Sequence, residues 1–346
     1  MAVQTFTTPA GRLNILKGEI LAHAVPVECL GITGQNKKHP KNVGDTVIYR
    51  RWLPFGGSTT SSSTINRWAV TVANHITQEG VTPNADTLTP QDITVVLQQY
   101  SCLYQYTDKT ADLYEDDVPS EMKKQTGQRM GLVREMIRFG ELKSATNAFY
   151  AGGTSRSTVS ATISKNILSK VSRSLMGNHG KQITSILAAG PNFATAPVEP
   201  AFLVFVHTDA EHDIRELPGF KQTSEYASRK IVHEMELGSM GRFRFIVSPE
   251  LSGYADSGAA VGTTGLVSTS SSNVDVYPFI VVAEDAWGEV ALRGSESFDV
   301  TDLRPGEKSK EDPLGQRGYI GAKFWSAAKV LNQGWMAVIE AGITSL

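Results

Sequence analysis

Residues 312–346 read DPLGQRGYIGAKFWSAAKVLNQGWMAVIEAGITSL, and two strands are written into them. Positions 319–331 and 334–343 are rich in aromatic, β-branched and small apolar residues, and Asn332, Gln333 and Gly334 between them are of the types that tight turns favour. The pattern predicts a hairpin. A chain that closes on paired strands pins that end into a sheet, so the question becomes what the rest of the sequence supplies for the sheet to pack against.

With 346 residues the chain can build one large or two ordinary domains around cores that need no covalent staples. An apolar fraction of 40% and a charged fraction of 20% are those of a folded globular protein. The net charge of −2 gives no whole-chain field to attract nucleic acid or an acidic membrane surface, which makes a sequence-independent DNA binder a poor expectation. Cys29 and Cys102 lie far apart without metal-ligand spacing and read as two ordinary buried thiols. No basic run followed by an apolar core opens the sequence and no stretch of 18 uninterrupted apolar residues occurs, so neither a secretion signal nor a membrane partner is expected.

Along the chain, Leu13, Leu16, Ile20 and Ala24 recur at helical spacing and predict a short amphipathic arm over Arg12 to Ala24. Residues 44–55 alternate as a strand in which Tyr49 and Trp52 flank Arg50 and Arg51, a composition that calls for a partner surface. GGSTTSSST at 56–64 is too small and polar to bury anything, and the next strand, Asp92 to Gln99, follows only after about 27 further residues of weak pattern. Two strands bracketing such a span describe an extended protrusion, because a long structureless loop inside a compact domain is uncommon. After an acidic connector at 108–119, residues 120–148 carry the longest helical pattern, with Ser120 as its cap and Gly152-Gly153 as its stop. At 1.5 Å per residue it spans roughly 42 Å. Gly127, Gly131 and Gly140 weaken it by about 1 kcal/mol each relative to Ala, which predicts close approach of neighbouring backbone. A second helix is expected over Val159 to Met176. Short apolar strands at 202–206, 242–247 and 276–283, with a helix at 209–217, then predict an α+β arrangement with a mixed sheet, interrupted by a low-complexity loop at 252–273.

The residues that could carry chemistry are few. His207, Asp209, His212 and Asp213 cluster at a helix start, but their spacing meets no zinc or calcium pattern and Asp is expected there for capping. No nucleophile elbow, phosphate loop, dinucleotide fingerprint or HExxH occurs. These absences lead us to expect no catalytic residue, metal or cofactor. A soluble metal-dependent hydrolase built on the His207 cluster stands as the reading from a different class. The remaining candidates are surface charges: the basic set Lys37, Lys38, Lys41, Arg50 and Arg51 with Trp52, and the acidic run Glu115, Asp116 and Asp117. The first is expected to face a protein surface and the second to be solvated, and both are kept as candidate interface residues.

Five motifs in order give a more specific reading: PKNVGDTVIYRRWLPF, GVTPNADTLTPQDITVVLQQY, LPGF with Tyr226, GSMGRFRFIVSPEL, and DPLGQRGYIGAKFWSAAKVL with Trp335. Each is weak alone. Together they resemble, over nearly the whole chain, the major capsid proteins of tailed double-stranded DNA bacteriophages, in particular the short-tailed phages. The resemblance implies the tailed-phage and herpesvirus capsid fold, with an N-terminal arm at 1–39, an extended β-hairpin loop at 40–100, and a peripheral domain with a spine helix at 101–154. It further implies a central axial domain at 155–304 and peripheral return strands at 305–346. It implies a structural subunit that assembles into hexamers and pentamers of an icosahedral head around double-stranded DNA, formed in the host bacterial cytoplasm and retained in the virion. Its implied partners are further copies of the chain, a portal protein, scaffolding and decoration proteins, and packaged DNA contacted non-specifically. A cellular nanocompartment shell protein shares that fold and is the alternative within it.

Overall fold

The computed structural model describes residues 27–55, 65–68, 70–82, 85–113, 117–183, 200–225, 231–262, 264–292, 298–306, 308, 310 and 312–346. The helix expected over 12–24 lies outside them. In chain order the regular elements are β1 (Gln35–His39), β2 (Thr46–Trp52), β3 (Pro90–Val96), β4 (Gln98–Thr107), α1 (Asp108–Leu113), α2 (Val118–Leu142) and β5 (Ala148–Tyr150). There follow α3 (Lys165–Gly177), β6 (Phe202–Val206), α4 (Glu211–Arg215), β7 (Lys221–Gln222), β8 (Glu236–Met240) and β9 (Phe243–Val247). The last five are β10 (Tyr277–Val282), β11 (Trp287–Leu292), β12 (Asp299–Leu303), β13 (Arg317–Val330) and β14 (Met336–Ala341).

The described strands form three sheets. A seven-stranded mixed sheet runs β5-β14-β10-β6-β9-β8-β7, and a five-stranded sheet is organised around β13, which pairs with β4 on one edge and with β12 and β11 in succession on the other. The third is the two-stranded ribbon β2-β3. Strands β6, β9 and β10 are buried at every position, as the apolar runs of β6 and β10 require of strands covered on both faces, while β9 carries the buried Arg244 within its run. The side chains of α3 cover one face of that sheet: Leu168, Val171 and Leu175 join Phe202, Phe245 and Phe279 in one core cluster.

The hairpin expected at 319–343 does not form. Strand β13 belongs to the five-stranded sheet and β14 to the seven-stranded one, and both edges of each are already occupied by other strands. The turn Leu331–Trp335 is a crossing between sheets, and it runs beside a second crossing, Ala283–Ala286, that joins β10 to β11. Leu331 and Asn332 both donate backbone N–H groups to Ala286 O, at 2.9 and 3.0 Å, and Ala283 donates to Trp335 O at 3.0 Å. Trp287, Val330, Met336 and Val338 pack from the two sheets into one cluster with Phe139 and Leu142 of α2. The stretch 305–346 is therefore shared between the sheets.

Helix α2 begins and ends earlier than its sequence period suggests. Its cap is Asp117, whose carboxylate accepts the Ser120 N–H at 3.2 Å and also the Ser120 hydroxyl, while Pro119 suits the first turn, where no N–H is needed. It stops at Leu142 because the following residues are claimed by the neighbouring strand: Asn147 Nδ2 donates to Met336 O at 2.9 Å, and Val338 N donates to Asn147 O at 3.0 Å. Ala148 then enters β5. Only one of the three glycines is crowded. A Cβ on Gly131 would lie 2.0 Å from Glu28 Oε1, a side chain of the N-terminal segment, whereas Gly127 and Gly140 face open space. The second helix also starts late, at Lys165, and the residues before it form a short 3-10 turn, Arg156–Thr158.

The N-terminal segment is clasped where α2 meets the five-stranded sheet. Buried Glu135 accepts the backbone N–H groups of Cys29 and Leu30 at 2.8 and 2.7 Å, and its other oxygen accepts from Arg138 at 3.3 Å. Arg138 donates in turn to Glu289 of β11 at 2.6 and 3.0 Å, and Glu289 accepts from Ser326 of β13 at 3.0 Å. With two carboxylates, one guanidinium and every contacted oxygen hydrogen-bonded, the network meets the condition under which buried charge is tolerated.

Candidate functional site

The ribbon β2-β3 is the most unusual surface of the molecule. Its register sets Ile48 opposite Thr94, Arg50 opposite Asp92 and Trp52 opposite Pro90. Alternate residues point to opposite faces, and the burial follows: Val47, Tyr49 and Arg51 are half-buried towards the body, whereas Thr46, Ile48, Arg50 and Trp52 are exposed. The inner face packs on Val95, Leu97, Val290 and Ala327. The outer face leaves Trp52 57% exposed, and beyond it Trp68, Val72, Ile76 and Leu88 stay at least 65% exposed. A run of large apolar groups this open marks an interaction surface rather than scattered surface noise.

The charges predicted as interface residues are placed unequally. Arg50 is taken within the ribbon, where Nε and Nη2 each donate to the Asp92 carboxylate at 2.7 Å in a two-pronged pair that holds Asp92 below the usual carboxylate range. Arg51 donates through Nε to Gln91 Oε1 at 2.8 Å, and through Nη2 to the same oxygen. The Lys37 ammonium stands 4.3 Å over the Tyr49 ring, a cation–π contact, and Lys41 is exposed. Asp117 is the exposed cap of α2, and its bonds to Ser120 lower its carboxyl pKa. Glu115 and Asp116 lie outside the described residues.

The His207 group does not converge on a common point. His207 Nδ1 accepts the Asp209 N–H at 3.2 Å, and Asp209 Oδ2 accepts the Tyr277 hydroxyl at 3.0 Å. Burial, then the Asp209 carboxylate, pushes Tyr277 up to about 12. Asp213 is committed elsewhere: it receives the Thr344 N–H and hydroxyl at 2.9 and 2.5 Å, fixing the segment after β14. Among the described residues no group of three or more His, Cys, Asp or Glu could hold a metal ion. The geometry therefore removes the support for the hydrolase reading.

Comparison with known proteins decides what this architecture is. Capsid structures align along its whole length: that of Ralstonia phage GP4 with a TM-score of 0.64, covering 99% of each chain at 12% identity, and that of cyanophage Pam1 with a TM-score of 0.61, covering 100% of each at 14% identity. The head structure of Helicobacter pylori bacteriophage KHP40 follows at 0.60, covering 98% of each chain at 12% identity. The chain has the tailed-phage capsid fold. No family model matches the sequence. Among curated proteins it is similar to the major capsid protein of Pseudomonas phage KPP21, 21% identical over 264 residues, a match spanning 70% of this chain and 66% of that protein's length. The sequence resemblance to phage major capsid proteins is thus borne out by both comparisons. Residues 252–262 and 264–273 leave the seven-stranded sheet and are tied by the bridges Tyr254↔Val276, Ala260↔Asn273 and Leu266↔Thr344.

Proposed function

We propose that the chain is the structural subunit of a phage head, assembling through hexamers and pentamers into an icosahedral shell around double-stranded DNA. The observation that carries this is the ribbon: a two-stranded element, internally paired, whose outer face leaves Ile48, Trp52 and Val96 exposed beside the Arg50–Asp92 pair, on a fold shared with capsid proteins. Such a surface has no purpose in an isolated monomer. In a shell each copy lays it on a neighbour, and many modest contacts of this kind sum to a stable lattice.

In this reading residues 40–100 form the reaching loop and 101–154 the rigid peripheral spine. The seven-stranded sheet with residues 155–304 forms the axial body, and the stretch 305–346 returns through both sheets. The basic set from Lys37 to Trp52 and the acidic run Glu115, Asp116 and Asp117 belong to subunit boundaries. A portal protein, scaffolding and decoration proteins and packaged DNA are the further partners, and the product is a virion component formed in the host cytoplasm. No catalytic role is assigned. Ile48→Asp combined with Trp52→Asp tests the assignment of the outer face. Particles should be lost while the circular dichroism and melting of the soluble chain stay at the wild-type value; closed shells from this variant would sink the idea.

A further inference from the structure

Helix α3 carries Lys165, Lys170 and Arg173 and not one carboxylate. Its buried side, with Leu168, faces the seven-stranded sheet, and its outer side forms one wall of an open groove of about 520 Å³. Another wall is the two-residue turn between β8 and β9, in which Gly241 comes first at φ +60 and Arg242 follows. That turn holds Arg242 at the tip of its hairpin, where it lines the groove together with Lys165 and Arg173 over a floor of Leu168, Met240 and Phe243. Among the described residues no carboxylate lines the groove, and none of the three cations has an ion-pair partner. Lys165 also borders a neighbouring hollow with Asp213 and Glu216, but Asp213 is spent on Thr344. Elsewhere cations are matched within the chain: Arg138 by Glu135 and Glu289, Arg156 by Glu340, Lys323 by Asp299 and Lys329 by Glu141. The groove is thus a local positive field on a chain whose net charge is −2.

We infer that this groove holds the phosphate backbone of double-stranded DNA, with Lys165, Arg173 and Arg242 each neutralising one phosphate. The inference rests on the shell reading proposed above and names the surface that the enclosed nucleic acid meets. Lys165 and Arg173 are eight residues apart on α3, about 12 Å along its axis. A DNA strand advances about 3.4 Å per phosphate, so one strand lying along the helix meets both cations without bending. Contacts to phosphate carry no sequence information, which suits a groove that has cations but no side-chain amide to read a base edge. An acidic segment of a second copy fits less well. Anchors between proteins sit in closed, desolvated pockets, whereas this groove is open, and the acids beside it on α4 are engaged in their own chain, Glu211 with Arg215 and Asp213 with Thr344. Three phosphate contacts bind weakly one at a time, and many copies facing the same enclosed DNA make up the difference.

Binding of a mixed-sequence duplex to the full chain, followed by fluorescence anisotropy as salt is varied, tests it. The combination of Lys165→Ala, Arg173→Ala and Arg242→Ala should flatten the slope of log K against log salt by about 2.7, at about 0.9 for each lost phosphate contact. Lys109→Ala, on α1 and outside the groove, should leave the slope within about 0.3 of wild type. Particle yield of the triple variant should stay at the wild-type level. Should the triple variant fail to fold, Arg173→Gln and Arg242→Gln taken singly must each remove about 0.9 of the slope. A triple variant that keeps the wild-type slope, or a wild type that binds no duplex at about 50 mM salt, overturns the site. A triple variant that binds duplex as before but loses its particles shows the groove to be a contact between copies, which overturns the site as well. Groove-dependent duplex binding by a wild type that forms no shell would uphold the site and sink the shell reading alone.

Discussion

Glu135 accepts from two backbone amides of the N-terminal segment and from Arg138, so removing its carboxylate strands three donors in a buried place. Glu135→Ala should therefore destabilise the soluble chain by about 3–5 kcal/mol, the scale for breaking a buried ion pair on one side, read as a lowered urea midpoint with unchanged slope. A change below about 1 kcal/mol would show that the clasp is not a unit. The glycines of α2 predict the opposite sign. Gly127 and Gly140 meet nothing within 4 Å, so Gly127→Ala and Gly140→Ala should each stabilise by about 1 kcal/mol through helix propensity. Gly131→Ala would drive a methyl against Glu28 and should give no such gain. The sequence alone treats all three alike, because spacing on a helix says nothing about which side another segment approaches.

At the scale of elements, the excursion 252–273 is stapled by two carboxylates. Asp256 accepts from Ser270 N at 3.1 Å and from Ser268 Oγ at 3.2 Å, while Asp275 accepts from Asp256 N at 2.7 Å and Thr269 N at 3.1 Å. The bonds to Ser270 hold Asp256 below its ordinary 3.8. A carboxyl with a depressed pKa in the closed loop stabilises closure above its ordinary value and loses that contribution as the pH falls through the depressed one. Hydrogen exchange across 254–273, corrected for intrinsic rates, should therefore accelerate as the pH falls below the ordinary carboxylate range, and Asp256→Asn should abolish that pH dependence. Identical pH profiles for the variant and wild type would contradict it. How legible the elements were follows from what each one buries. Strands β6, β9 and β10 are apolar at nearly every position and stood out, as did the alternation in β2. Strand β12, DVTDL, is exposed throughout, and β1, QNKKH, is mostly polar; both exist because β13 and β11 offer open edges, which no local pattern announces. The last two strands were recognised as strands but wrongly as a pair, since alternation reports that a segment is extended and not which edge it joins. For the candidate site, the composition of 44–55 announced a surface in need of a partner, whereas the separate fates of Arg50 and Arg51 depended on the register that sets Asp92 and Gln91 opposite them.

At the scale of the described molecule, two sheets meet at paired crossings, helix α2 packs along β13, and the ribbon β2-β3 leaves Ile48 and Trp52 uncovered beside the Arg50–Asp92 pair. Among the described residues no helix is long and apolar enough to cross a membrane. A near-neutral chain with net charge −2 does not repel its own copies strongly, which suits dense packing in a shell. The central claim is that this body is built to be repeated. Electron microscopy with sedimentation of the purified chain, expressed alone and then with neighbouring phage genes, tests it most directly. The account predicts rings, tubes or closed shells made of this chain in at least one of the two preparations. A strictly monomeric species in both would contradict it.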